Sequence, residues 1–193
     1  MKAVLLLPLA TACGVASRVP QPRTVPEPTG WSVCYEADGT VDNYDGECSA
    51  PALVKWNLPA TVYIPPDYPE RNRVLQAMGV WNDHMGTAVF KESTGPAANV
   101  VITMAPLSIW GFAGLAEHTR KNGITVFTVT VFQGYFGRAD VITHELGHTL
   151  GLAHDPGNKR SIMYPSGNWV VPGVTKADCQ YLKDLYSLRV ECR

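Results

Sequence analysis

Within residues 144–154 the chain reads His144-Glu145-Leu146-Gly147-His148, then Gly151, then His154, the spacing H-E-x-x-H-x-x-G-x-x-H. Residues four apart are neighbours on a helix, so His144 and His148 project to one side with Glu145 alongside. Val141, Ile142, Leu146 and Leu150 supply the apolar face that seats such a helix on a core. His154 cannot share that helical face and meets the other two imidazoles only if the chain turns sharply. Gly151 is the residue that can take the positive φ this turn needs, which makes it a structural part of the site. Three imidazoles with a fourth direction left open are the donor set of a catalytic zinc, because structural zinc sites are closed by four protein ligands. One zinc on His144, His148 and His154 is therefore expected, with Glu145 outside the ligand set and placed to move a proton.

The segments before the motif alternate as an α+β fold requires. Residues 53–64 form a β-rich run broken by Pro59, which predicts an edge or bulged strand. A helix is expected from Pro69 and Glu70, with Val74, Leu75, Met78, Val80, Trp81 and Met85 as its buried stripe and Gly86 as its stop. Residues 88–91, 99–104, 114–118 and 124–132 read as strands, the last too apolar on both faces to lie at an edge. The pattern predicts a twisted mixed β-sheet preceding the motif helix, with a closing helix over 175–188.

Sixteen Lys and Arg against seventeen Asp and Glu leave a formal charge of −1 with no basic stripe, which argues against a nucleic-acid partner. Lys2, an apolar stretch over 3–10 and the exit Ala10-Thr11-Ala12 read as a signal peptide over 1–12, too short to span a bilayer. Cys13 follows at once, so lipidation of that cysteine and plain release are both open, and the expected location is secreted or anchored to the outer face of a membrane. Residues 13–30, with Pro20, Pro22, Pro26 and Pro28, read as a stiff linker. Of five cysteines, setting Cys13 aside leaves an even group, Cys34, Cys48, Cys179 and Cys192. Export permits disulfides, and pairing Cys34 with Cys48 and Cys179 with Cys192 closes short local loops. Residues 31–49 would then be a small disulfide-closed segment and 50–193 the catalytic domain.

A methionine follows the third histidine closely, in Ser161-Ile162-Met163-Tyr164-Pro165. The long histidine motif followed by such a methionine turn resembles the metzincin metalloproteases, and within them the matrixins most. The likeness extends to Val80-Trp81-Asn82, the apolar strand before the motif helix and the closing helix, roughly residues 50–193. It implies a monomeric zinc endopeptidase acting on protein or peptide substrates. Glu145 would be general base and acid, Met163 an apolar floor under the metal, and Asp155 a loop-fixing residue. It also implies that Gly111, Phe112, Ala113, Gly114 and Leu115 present a strand edge to an extended substrate, while Pro165 and Trp169 wall the pocket past the scissile bond. Two departures stand out. Nothing before residue 50 matches the P-R-C-G-x-P-D switch by which matrixin propeptides cover zinc. The His- and Asp-rich loop that holds structural zinc and calcium is missing too, so calcium is left open, and His84 and His118 are read as surface or supporting residues. Hydrolysis of peptidoglycan cross-links, and a non-catalytic zinc-stabilised binding module, are the rival readings; the presence of Glu145 argues against the second.

Overall fold

The computed structural model describes residues 34–35, 41–42, 55–106, 113–121, 124–155, 157–164 and 173–192. The expected signal peptide over 1–12, Cys13, the proline-rich stretch, Cys48, Gly111, Phe112, Pro165 and Trp169 lie outside these residues. Within 31–49, Cys34–Tyr35 (β1) pairs antiparallel with Val41–Asp42 (β2). In chain order there follow Ala60–Tyr63 (β3), Arg71–Met85 (α1), Phe90–Ser93 (β4), Val100–Ala105 (β5), Gly114–Lys121 (β6), Ile124–Phe132 (β7), Ala139–Thr149 (α2) and Lys176–Tyr186 (α3).

The sheet runs β4-β3-β5-β7-β6, with the first four strands parallel and β6 antiparallel to β7. This is the mixed α+β arrangement that the sequence predicts. The expected edge strand at 53–64 is corrected: β3 begins one residue after Pro59 and lies inside the sheet. The ring therefore removes no ladder donor, which is why proline is tolerated beside an interior strand. β7 is interior as expected, but not because both its faces are buried. Phe127, Val129 and Val131 are buried, while Thr128 and Thr130 on the other face are only half-buried, and Thr130 Oγ1 lies 3.0 Å from Thr103 Oγ1 on β5.

The buried face of the sheet is covered by α1 and α2. Val74, Ala77, Met78, Trp81 and Met85 point inward from α1 at helical spacing. Leu75, expected in that stripe, is exposed, because one residue past Val74 is a turn of about 100° around the helix. Gly86 ends α1 in the left-handed region at φ 61°, where glycine carries no Cβ penalty. Asn82 then fastens β4 to the helix: its Oδ1 accepts the amides of Val89 (2.8 Å) and Phe90 (2.9 Å), and its Nδ2 donates to the Phe90 carbonyl (3.0 Å).

α3 starts at a capping box, with Thr175 and Asp178 satisfying each other's backbone amides. A disulfide joins Cys179 to Cys192, the expected local pairing, across 13 residues. A loop of that length stabilises a fold by about 3 kcal/mol. Among the described residues no helix is long and apolar enough to cross a membrane.

Candidate active site

α2 buries Ile142 and Leu146 completely against the core, which fixes the rotation of the helix and turns His144 and His148 the same way. The helix ends in a Schellman pattern: Leu152 N–H donates to the Gly147 carbonyl at 3.2 Å and Gly151 N–H to the His148 carbonyl at 2.9 Å. Gly151 has φ 95°, a conformation an L side chain resists, and so sends the chain back toward the histidines. Two distant side chains hold this end of the helix. Trp56 Nε1 donates to the Thr149 carbonyl at 2.7 Å, and the Tyr186 hydroxyl donates to the Leu150 carbonyl at 3.2 Å.

His144, His148 and His154 come together. His144 Nε2 lies 3.1 Å from His148 Nε2 and 3.3 Å from His154 Nε2, and one ligand atom from each of the three falls within 4.8 Å of the others. Two of the outer nitrogens are held by backbone: His144 Nδ1–H donates to the Ile162 carbonyl at 2.6 Å and His148 Nδ1–H to the Leu152 carbonyl at 2.8 Å. With the proton committed to Nδ1, the lone pair of His144 and of His148 sits on Nε2, on the side of the common centre. Four-coordinate zinc with Zn–N of about 2.0–2.1 Å places its nitrogens roughly 3.3 Å apart, so these residues fit a zinc ion.

Electrostatics favour the same occupant. Burial, then the neighbouring His148 and His154, hold the His144 pKa well below its usual value; burial lowers that of His148; burial, then His148, bring His154 down to about 3. Neutral imidazoles are the form that binds metal. Glu145 is buried beside them, and desolvation pushes its carboxyl up to about 8 against a hydrogen bond from the Ala116 backbone that favours the ion.

Met163 is fully buried beneath α2. A Cβ on Gly147 would stand 2.5 Å from Met163 Sδ and 2.9 Å from Trp81 Cζ2, so the glycine is what lets the methionine and the tryptophan close under the helix. Trp81 Nε1 also donates to the Thr143 carbonyl at 2.8 Å. The methionine turn is pinned by a buried carboxylate: Asp178 accepts the Ser161 hydroxyl at 3.0 Å, and Ser161 Oγ in turn accepts the Met163 amide at 2.9 Å. Asp155 N–H donates to the Met163 carbonyl at 2.8 Å, tying the segment after His154 to the same turn through backbone alone. Gly114 and Leu115 begin β6, the strand that ends the sheet, and Ala113 directly precedes it. His118 is buried against Phe127, with ring centroids 5.3 Å apart, and is no surface residue; His84 is half-buried on α1.

The sequence model of the matrixin family matches residues 117–187, a span that holds the three histidines, Glu145, the methionine turn and the first Asp of the closing helix. Over this span the chain is similar to the matrixins, a family of metallopeptidases. No curated protein matches it. Sequence reasoning missed the supports of the site. Ile162 and Leu152 act through carbonyls, which carry no residue signature, and Trp56 and Tyr186 are distant in sequence. Thr175-x-x-Asp178 was findable as a capping box, and Gly147 lies within the motif itself.

Gly147→Ala is expected to destabilise the protein by about 1–3 kcal/mol through overpacking, measured by urea denaturation, and to weaken zinc retention. For metal-free protein the pH dependence has a definite sign. Unfolded imidazoles take up protons below about 6.5 while the folded ones stay neutral, so stability falls as pH drops from 6.5. The Glu145 carboxyl keeps its proton to about 8 when folded but loses it near 4.5 when unfolded, so that group lowers stability as pH rises toward 8. The thermal midpoint of chelator-treated protein is expected to peak near pH 6.5 and to fall more steeply on the acid side, where three groups act against one.

Proposed function

We propose that the chain is an exported zinc endopeptidase, active as a monomer, that cleaves extended protein or peptide segments with Glu145 as general base and acid. The observation that carries this reading is a buried carboxylate immediately beside three imidazoles whose Nε2 atoms face one point. A purely structural site has no use for such a group. Zinc held by His144, His148 and His154 supplies Lewis acidity to a water molecule and to the scissile carbonyl.

The remaining work belongs to the protein. Glu145 takes a proton from the attacking water onto a carboxylate oxygen and delivers it to the departing amine. The Ala116 amide holds the carboxylate in place. Ile162 and Leu152 keep His144 and His148 in the tautomer that presents Nε2 inward. Substrate lies along the outer edge of β6 at Ala113, Gly114 and Leu115, where main-chain pairing selects an extended peptide over a small amide. The leader over 1–12 supports export, and Cys13 offers the lipid anchor where one is attached.

Glu145→Ala is expected to keep its fold and its zinc while losing at least about 100-fold in kcat on casein-derived peptides, and a chelator should abolish wild-type cleavage. Undiminished turnover by the variant contradicts the assigned role. Cleavage of cell walls with no cleavage of casein transfers the reading to peptidoglycan cross-links.

A further inference from the structure

The carboxylate of Glu145 is held by two features of one strand. Gly114 and Ala116 are two residues apart on β6 and therefore face the same way. Ala116 gives the carboxylate its backbone amide. Gly114 gives it room: a Cβ there would stand 2.7 Å from Glu145 Cγ, 2.7 Å from Oε1 and 3.0 Å from Cδ, distances at which something must move.

What can move is decided by the surroundings. β6 is locked to β7 through the register Gly114↔Val131 to Lys121↔Ile124, and Phe132 N–H donates to the Ala113 carbonyl at 3.1 Å just ahead of the glycine. Val131 and Val129, the ladder partners of Gly114 and Ala116 on β7, are fully buried. On the other side α2 is anchored by Ile142 and Leu146, also fully buried. Strand and helix are both fixed, and the flexible member of the contact is the Glu145 side chain.

We propose that Gly114 is a positioning residue for the reaction. By lacking a side chain it gives the Glu145 carboxylate its seat against the edge of β6, and any side chain at 114 turns the carboxylate away without disturbing the histidine cluster. Because a displacement of about 1 Å at a reacting group can lower a rate by about 100-fold, a single methyl is enough to be read. The inference rests on the proposed role of Glu145 and adds that β6 sets that side chain's position as well as the substrate's.

The test compares full-length wild type, Gly114→Ala, Glu145→Ala and the double variant. Gly114→Ala is expected to lower kcat about 10- to 100-fold with little change in KM, zinc content or thermal midpoint. In the Glu145→Ala background it should cause no further loss, since its effect passes through the carboxylate. A crystal structure of Gly114→Ala should show the carboxylate out of hydrogen-bond reach of the Ala116 amide. Wild-type kcat, a carboxylate still on that amide, a collapsed thermal midpoint, or a loss repeated in full without Glu145 each overturn the inference; the last would assign Gly114 to substrate pairing instead. Absence of peptidase activity in wild type itself would count against the proposed function, and the carboxylate's place in the variant crystal would still decide the steric claim.

Discussion

Nitrogen lone pairs repel, and a folded chain that sets His144 Nε2 at 3.1 Å from one imidazole nitrogen and 3.3 Å from another has arranged donors for a cation. Protonation could relieve the crowding in water, but burial and the mutual proximity of the rings oppose the charged forms. The arrangement is thus held against its own electrostatics by the fold around it. That cost is offset when metal binds, so binding and folding reinforce each other.

The supports of this convergence come from several elements of the fold. The sheet fixes α2 through Ile142 and Leu146, and the Schellman turn at Gly151 brings His154 round. The methionine turn reaches in from the other side, where the Ile162 carbonyl orients His144 and Met163 fills the space that Gly147 leaves open. α3 anchors that turn through Asp178 and Ser161. β6 contributes a backbone amide and a bare glycine to Glu145.

Much of this was legible in the residues. The i, i+4 spacing of His144 and His148 fixes a shared face because helical geometry allows no other outcome, and Gly151 signals the turn for the same kind of steric reason. The strands and both flanking helices were readable from periodicity. Where expectation and structure part, the cause is position relative to neighbours. Pro59 is harmless because β3 begins after it, Leu75 is exposed because burial is set by one helical face, and β7 is interior while its threonine face stays half-open. Contacts made by carbonyls, or by the absence of a side chain at Gly114 and Gly147, leave no trace in a motif, since they depend on which backbone lies 3 Å away. The pairing of Cys179 with Cys192 was available from loop length, whereas that of Cys34 with Cys48 lies outside the described residues.

The central claim is that three imidazole nitrogens hold one zinc and leave one position to oxygen. X-ray absorption at the zinc edge of the purified full-length protein addresses it directly. The account predicts a four-coordinate zinc with three nitrogen neighbours and one oxygen at about 2.0–2.1 Å. Protein that binds no zinc, or a spectrum with sulfur neighbours near about 2.3 Å, would contradict it.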